Sequence, residues 1–461
     1  MNVQPPETDP RLASAGLSRP APGLLAELVL LVRLAWPVAI GQLASVSMYL
    51  TDNVMVGHVS KVEMAGVAIG VWWFLSVFMP MTGILRILDP IVSQAVGARD
   101  EAGAERALAR GAVLAGLLAL ATALCLVATG PVLAAFGQPA EAVAVAVRFS
   151  RNLIPGLPAT FGFFLLRTWL QARGEMRPGN VAIVLANGLN VLLDWAFVYG
   201  HLGSSAMGGA GAGVATSIGS WFQLLIIAGL SVRMWRPSLA YVRDAMAFRS
   251  WSRLLPMGLP LGLQTGTEIW AFSAAGWMAG WLGSAALSAH LIAINLASIS
   301  FNIALGVSTA AATRVGQLVG AGHPIRRTAI AAQLCGLGVM SVFGLVFALI
   351  PRQLAQVYSN DPEVIDIAVQ LLPIAVAFQL FDGTQVVAFG VLRGAGDVRL
   401  PTVFNLVGFW LIGLPLGYWL LVHGGMGVPG VWMGLALALG IVSVLLVLRV
   451  RWTVARGGFR V

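Results

Sequence analysis

Five acidic residues stand inside or at the ends of long apolar stretches of the sequence. They are Asp52, Asp89, Asp194, Glu268 and Asp382. An ionisable group at the middle of a bilayer costs at least about 2.5–3.5 kcal/mol, so each acid needs a structural partner or a function. Asp52 and Asp89 lie near the ends of their stretches, where a headgroup location explains them equally well. Glu268 and Asp382 lie well inside, and because burial disfavours a charged carboxyl group, both are predicted to exchange protons.

Amide side chains accompany three of these acids at helical spacing. The groups are Gln264 with Glu268, Gln379 and Gln385 with Asp382, and Asn187 and Asn190 with Asp194. Residues three or four apart share one helix face, and carboxylate and amide oxygens are the ligands that hard cations prefer. Na⁺ or a proton could use either set, with Glu268 and Asp382 as the Na⁺ candidates. The alternative for the amides is an interhelical hydrogen bond, worth on average about 0.6 kcal/mol in a membrane.

Composition places these residues in lipid. Of 461 residues, 58% are apolar and 10% are charged, against about 25% charged in ordinary soluble domains. Apolar runs of roughly 20 residues, enough to cross a bilayer, recur along the chain. They predict twelve transmembrane helices at 34–56, 66–88, 108–129, 149–171, 179–199, 210–232, 254–281, 286–310, 328–350, 367–391, 400–422 and 427–448. The fold class is therefore an all-α polytopic membrane protein.

The basic residues set the orientation. An even number of spans puts both termini on one side, and 23 of the 28 lysines and arginines fall on that side. Lys and Arg are retained in the cytoplasm, so both termini are predicted to be cytoplasmic, in the plasma membrane. The same asymmetry accounts for the net charge of +9, which would otherwise suggest phosphate backbones as partners. We expect the lipid bilayer, and no nucleic acid, as a partner.

The chain contains an internal duplication at an offset of 223 residues. The matching pairs include Gln94-Ala-Val-Gly97 with Gln317-Leu-Val-Gly320, and Pro178 with Pro401. Six helices per copy give two parallel, pseudo-symmetric lobes, with the binding site expected between them. The predicted division is a disordered tail at 1–22, an N-lobe at 23–232, a linker at 233–253, a C-lobe at 254–450 and a tail at 451–461. The arginine-rich linker is expected to form a short amphipathic helix on the membrane surface.

The sequence lacks the motifs of the alternative energy sources and chemistries. It has no GxxxxGK[ST] phosphate loop, no HExxH and no Cys/His cluster with metal spacing. A membrane-embedded hydrolase or transferase would need a nucleophile–base pair or metal ligands in the spans, and none is found. We therefore expect no enzyme activity and no cofactor, and an ion gradient as the energy source.

Four motifs together resemble the multidrug and toxic compound extrusion (MATE) family, and most closely its NorM-like branch. They are Asp52-Asn-Val-Met-Val-Gly57, Leu88-Asp-Pro-Ile-Val-Ser-Gln-Ala-Val-Gly97, Asn190-Val-Leu-Leu-Asp194 followed by Gly211-Ala-Gly-Val-Ala-Thr216, and Leu392-Arg-Gly-Ala-Gly-Asp-Val-Arg-Leu-Pro401. The resemblance covers both lobes. It implies the two-lobed transporter fold of that family and its superfamily.

The resemblance also implies roles for particular residues. Asp52, Asn190, Asp194 and Thr216 are similar to the family's N-lobe cation site. Glu268 and Asp382 are similar to its C-lobe acids, beside which Gln264 and Gln379 complete the predicted binding set. Arg86 departs from the family pattern, and Asp89, three residues on, is its predicted partner.

The function implied is export of small organic cations in exchange for Na⁺ or H⁺ by alternating access, by a monomer in a bacterial inner membrane. The alternative is a lipid-linked saccharide flippase of the same superfamily. That alternative calls for basic residues in a central cavity to meet pyrophosphate, whereas the charges found in mid-span are acidic.

Overall fold

The computed structural model describes residues 23–459, apart from the side chains of residues 46–54, and it is helical, with no strand in that range. Twelve long helices follow one another. They are α1 (Leu24–Gly57), α2 (Lys61–Gly97), α3 (Glu101–Val127), α4 (Ala140–Ala172), α5 (Arg177–Tyr199), α6 (Gly209–Leu230), α7 (Leu254–Gly280), α8 (Ser284–Gly320), α9 (Arg326–Leu349), α10 (Pro362–Gly394), α11 (Arg399–Val422) and α12 (Val428–Ala455). The predicted all-α architecture is confirmed.

Three of the long helices are interrupted. α2 breaks between Leu85 and Leu88, α4 contains the 3₁₀ turn Ile154–Gly156, and α11 contains the π-helical turn Val407–Gly413. Short helices also lie between the long ones, at Thr129–Ala135, Val232–Trp235, Arg236–Tyr241 (3₁₀), Val242–Ala245, Phe248–Trp251 and Pro351–Gln356. The linker is therefore a series of short turns, and the prediction of one amphipathic helix there was wrong.

Helix ends are set by local side chains. The hydroxyl of Ser60 accepts a hydrogen bond from the Glu63 amide (3.1 Å) at the start of α2, and the Asp100 carboxylate accepts one from the Gly103 amide (2.8 Å) at the start of α3. Such N-caps satisfy amides that have no partner within the helix. Gly200, with φ of +79°, ends α5 in the left-handed conformation that glycine adopts without steric cost.

Eleven of these helices are long and apolar enough to cross a membrane. The exception is α7, which is 27 residues long but carries the polar run Gln264–Glu268. Several helices extend beyond the predicted spans, since α1 begins at Leu24 and α8 continues to Gly320. Hydropathy detects only the part of a helix that matches the hydrocarbon layer, so it missed these extensions.

Separate apolar cores lie in the two halves of the chain. One core is formed mainly by α2 to α6, and a second by α7, α8, α10, α11 and α12. A third core joins α8, α9, α10 and α12, and it includes Leu31 and Ala35 of α1. The first turns of α1 therefore pack against the second half of the chain. The exact lobe boundaries, at residues 232 and 254, stay a prediction.

The two lobes meet most closely through the duplicated Gln-x-x-Gly segments. A Cβ on Gly97 would overlap the carbonyl group of Gln317, and one on Gly320 would overlap the carbonyl group of Gln94. Only glycine lets the two backbones approach so closely. Because the four residues are paired by the 223-residue offset, this contact lies on the pseudo-twofold axis. We call the end of the molecule where these segments meet the closed end.

Hydrogen bonds between the lobes surround that contact. Gln317 Nε2 donates to the Ala172 carbonyl oxygen at the end of α4 (3.0 Å). Gln94 Nε2 donates to the Gly394 carbonyl oxygen at the end of α10 (3.2 Å) and to that of Phe459 (2.9 Å). Each glutamine thus binds the last turn of the fourth helix in the opposite repeat.

Candidate functional site

The carboxylate of Glu268 is the centre of a polar cluster in the second lobe. Its Oε1 atom accepts three hydrogen bonds, from Asn405 Nδ2 (2.6 Å), Gln385 Nε2 (3.1 Å) and Gln264 Nε2 (3.2 Å). These donors come from α11, α10 and α7, so three helices fix one oxygen. No such bond to Oε2 is made by the described residues, which leaves this oxygen for another ligand.

Asp382 lies on α10, one turn before Gln385, with 7% of its surface exposed. It is close enough to Glu268 for the two carboxyl groups to repel each other. The Gln385 Oε1 and Asn405 Oδ1 atoms beside them are buried acceptors to which no described residue donates a hydrogen bond. Carboxylate and amide oxygens left in this state fit a bound cation, because buried acceptors are costly unless they are satisfied.

Gln379 of the predicted C-lobe set, and Phe272, one turn after Glu268 on α7, have different surroundings. Gln379 turns its Oε1 atom to the Ser300 hydroxyl of α8, which donates to it at 2.7 Å. The Gln379 oxygen is therefore occupied by this hydrogen bond, and the remaining polar atom of the side chain, Nε2, is a donor. Phe272 packs edge-on against Phe378 and Phe409, with centroids 5.9 and 5.7 Å apart. The ring belongs to the packing of the second lobe.

The first lobe holds a second acidic cluster where α5 packs against α1 and α6. Asp194 and Asn190 are 0% and 1% exposed, and the Asn190 amide has no hydrogen-bond partner among the described side chains. Thr216 of α6 donates to its own helix at Ala212 (2.9 Å). The antiparallel packing of the two helices, where Gly211 lies against Phe197, sets Thr216 at the depth of Asp194.

The backbone of α1 at residue 52 lies at the same depth as Asp194. Asn187 Nδ2 donates to the Ala44 carbonyl oxygen (2.6 Å), and the Tyr199 hydroxyl donates to that of Met55 (2.7 Å). This register between α5 and α1 sets residue 52 at the depth of Asp194. The side chain of Asp52 itself lies outside the described residues.

The predicted pairing of Arg86 with Asp89 was wrong. Asp89 instead forms an ion pair with Arg393 of α10, with 3.1 Å between Oδ2 and Nε, and both residues are buried. The local spacing favoured Arg86, but the two lobes bring Arg393 closer. Asp89 therefore contributes to the contact between the lobes.

A second buried ion pair between the lobes was not anticipated from the sequence. Arg314 of α8 binds Glu27 of α1 through two hydrogen bonds, Nε to Oε1 (2.8 Å) and Nη2 to Oε2 (3.0 Å). Thr328 of α9 also donates to Oε1 (2.7 Å). Glu27 precedes the apolar run from which the first span was predicted, and Arg314 was counted only as a topology signal. The sequence offers many other combinations of Glu and Arg, so it contains no signal that selects this pair.

Aromatic side chains line a cavity between the lobes on the other side of the membrane acids from the closed end. Trp72, Phe136 and Trp277 contact one another, with centroids 5.7–6.2 Å apart. They line a cavity of about 450 Å³ together with Leu133 and Gln138. The face of an aromatic ring attracts a cation, so the cavity suits an organic cation in passage.

Buried acids inside a two-lobed helical bundle, whose lobes meet at the backbone contact of the Gln-x-x-Gly segments, define a polytopic membrane transporter. Among the side chains that the structure describes, no three of the types His, Cys, Asp or Glu are grouped to hold a metal ion. A cation at Glu268 would therefore rely on carboxylates and amides together.

The chain belongs to the MATE family. The MatE family model matches residues 37–196 and 260–419, so the second match begins and ends 223 residues after the first. This confirms the duplication and its offset. The resemblance to the NorM-like branch is also confirmed by the relatives. The chain is 33% identical over 451 residues to "Multidrug resistance protein NorM" of Burkholderia vietnamiensis, covering 95% of this chain and 97% of that one.

Other relatives and solved structures agree. The chain is 33% identical to "Probable multidrug resistance protein NorM" of Mesorhizobium japonicum, with 90% of this chain and 92% of that one covered. The eukaryotic MATE transporter AtDTX14 matches with a TM-score of 0.82 at 23% identity, over 94% of this chain and 98% of that one. A MOP superfamily transporter from Pyrococcus furiosus, whose binding pocket is described as reversed in polarity, matches with a TM-score of 0.84 at 20% identity, over 96% and 98% of the two chains. The two structures share the fold.

Proposed function

We propose that the protein is a multidrug exporter that exchanges small organic cations for Na⁺ or H⁺ by alternating access. The observation that carries the proposal is the Glu268 cluster, in which three amides hold one carboxylate oxygen and leave the other available beside Asp382. The names of the NorM relatives support multidrug export. Competition between the inorganic and the organic cation for the same carboxylates couples the two movements.

Alternating access needs a contact between the lobes that opens and closes. The Gln-x-x-Gly contact and the Asp89–Arg393 pair close one end of the cleft. By the arginine asymmetry this closed end faces the cytoplasm, as do both termini. With this end closed, an exporter would release its substrate and take up the coupling ion on the other side, and the contacts of Trp72 with Trp277 and Ser273 there must separate for that exchange.

The remaining features follow from the same proposal. The protein acts as a monomer in a bacterial inner membrane, and its partners are the bilayer and small organic cations, without nucleic acid. It performs no enzymatic step and uses no cofactor besides the coupling ion. Asp52, Asn190, Asp194 and Thr216 form the N-lobe part of the site.

Efflux of a fluorescent organic cation from proteoliposomes tests the proposal. A Na⁺ gradient and a pH gradient are imposed separately on the wild-type protein, and at least one of them is expected to drive efflux. Glu268→Gln and Asp382→Asn are each expected to abolish the gradient-driven part. Asp366→Asn is the matched control, because Asp366 is an exposed acid paired with Arg352 outside the cluster. Full activity in both cluster variants would contradict the proposal.

A lipid-linked saccharide flippase is the second candidate, and one observation favours it. Arg86 and Arg167 lie near each other between the helices, and Arg167 Nη2 donates to Gln42 Oε1 of α1 (2.8 Å). Basic groups in that position could meet a pyrophosphate. Transport of a fluorescent pyrophosphate-linked lipid across the vesicle bilayer, with no response to either gradient, is the result expected of a flippase and not of an exporter.

A further inference from the structure

Arg86 stands at the interruption of α2, between Leu85 and Leu88. The next residue, Ile87, packs against Leu261 of α7 and Val398 from the second lobe. Arg86 therefore lies at the boundary between the lobes, at membrane depth. Its guanidinium group is partly buried and makes no ion pair or hydrogen bond to the described residues. A charge in that position needs a partner or a function.

Arg86 lies within electrostatic range of charges from both the cation cluster and the closed end. Glu268 and Asp89 attract the guanidinium group, and Arg393 repels it. Arg167 also lies near Arg86 and repels it. Asp89 lies three residues further along the chain, and its amide donates to the Arg86 carbonyl oxygen across the interruption (3.1 Å).

The geometry of the Asp89–Arg393 ion pair allows Asp89 to change its guanidinium partner. Arg393 Nε lies 3.1 Å from the carboxylate but is not aligned to hydrogen-bond it. The other buried pair between the lobes, Glu27 with Arg314, has two aligned hydrogen bonds, and such bidentate pairs are the strong ones. A second guanidinium group near Asp89 can therefore compete with Arg393.

We propose that Arg86 is a positioning residue that couples occupancy of the Glu268 site to the Asp89–Arg393 pair, an inference that rests on the proposed cation exchange. When Glu268 is unoccupied and anionic, it attracts Arg86 and leaves Arg393 to Asp89. The closed end then stays closed.

A cation on Glu268 reverses the balance. It cancels the attraction and repels Arg86, which moves towards Asp89 and displaces Arg393. The contact between the lobes weakens, and the loaded transporter can open at its closed end. An organic cation on Glu268 has the same effect as Na⁺ or H⁺. The empty transporter stays locked, so the gradient is not dissipated without exchange.

Arg86→Leu tests the two proposed effects of Arg86, on cation binding at Glu268 and on release of the Asp89–Arg393 pair. Without the guanidinium charge the coupling cation binds more tightly, and because coupling between sites typically amounts to 5–150-fold, we expect its half-saturating concentration to fall about fivefold or more. Maximal efflux is expected to fall by a similar factor, because loading no longer releases the Asp89–Arg393 pair. Arg86→Lys keeps the charge and is expected to retain both values. A purely structural role would not tighten cation binding while slowing turnover.

Asp89→Asn provides the second arm of the experiment. Added to Arg86→Leu, the Asp89→Asn substitution removes the Asp89–Arg393 ion pair that loading can no longer release. Maximal efflux is therefore expected to recover, while the tighter cation binding remains. Alone, it is expected to let the coupling gradient dissipate without substrate, which is measurable even if Arg86→Leu fails to fold. An unchanged affinity in Arg86→Leu, or no leak in Asp89→Asn, would overturn the proposal. If the wild-type protein responds to neither gradient, the proposed function fails instead.

Discussion

Replacing Gly320 with alanine places a methyl group inside the contact that closes the molecule. The new Cβ overlaps the carbonyl group of Gln94, which belongs to the backbone of α2 and has no rotamer to escape into. The lobes must separate slightly to admit it. Overpacking of this kind costs about 1–3 kcal/mol. The cost falls only on the state with the closed end intact, so the equilibrium should shift about 5–150-fold towards opening at that end.

Pseudo-symmetry supplies a second, independent variant. Gly97→Ala meets the carbonyl group of Gln317 in the same way, so it is expected to shift the equilibrium by a similar factor. Gly338→Ala is the matched control, since no atom lies within 4 Å of the added methyl group. It makes the same glycine-to-alanine change on α9 without touching the contact.

Distances between spin labels on the two lobes measure the shift. Ala98 and Pro324 are exposed and follow the Gln-x-x-Gly segments of the two repeats, so labels there report on the closed end. The native cysteines, Cys125 and Cys335, are replaced first. A longer-distance population is expected to grow in Gly320→Ala and Gly97→Ala and not in the Gly338→Ala control. If both variants keep the wild-type distance distribution, the contact does not control the opening.

Two further variants test single interactions. Removing one partner of a buried ion pair costs about 3–5 kcal/mol, so Arg314→Met is expected to lower the thermal unfolding temperature, and adding Glu27→Gln to recover part of that loss. Asn405→Leu removes the shortest hydrogen bond to Glu268 (2.6 Å). Bonds to charged groups contribute about 1.5–3 kcal/mol and this one stabilises the ionised carboxylate, so H⁺ affinity in flux assays should rise about tenfold or more. Asn295→Leu, an exposed amide bonded within its own helix, should leave that affinity unchanged.

The sequence identified the duplicated segments, but it did not identify the contacts between helices. Gln94-x-x-Gly97 and Gln317-x-x-Gly320 marked the duplication, yet an offset establishes equivalence and says nothing of proximity. Only the folded lobes reveal that the two segments contact each other. The Gln264–Glu268 hydrogen bond was predictable because both residues lie on one helix face.

Contacts between helices account for the rest. Asn405 is a lone amide in an apolar span, and its importance depends on α11 lying beside α7, which no local pattern encodes. Asp89 has a cation three residues away, and helical spacing alone selects that neighbour. The structure selects Arg393 instead, about 300 residues further along the chain. Ion pairs between lobes are decided by tertiary packing.

The symmetry of the closed end contrasts with the asymmetry of the acids. At the 223-residue offset, Glu268 corresponds to Ser45, whose hydroxyl only donates to Gly41 of its own helix (2.8 Å), and Asp194 corresponds to Gly417. Both repeats thus contribute equivalent residues to the Gln-x-x-Gly contact at the closed end, whereas the acids of the two lobes occupy different positions.

Separate clusters imply separable binding energies. The second-lobe cluster is fixed by α7, α10 and α11, while Asp194 lies among α1, α5 and α6, and no described hydrogen bond joins the two. We therefore expect the losses in organic-cation affinity caused by Asp194→Asn and Glu268→Gln to add within about 0.5 kcal/mol in the double variant. Fluorescence polarisation of the purified variants measures this. A double variant no weaker than the worse single variant would mean that the two acids act on the ligand as one unit, and that their contributions are not separable.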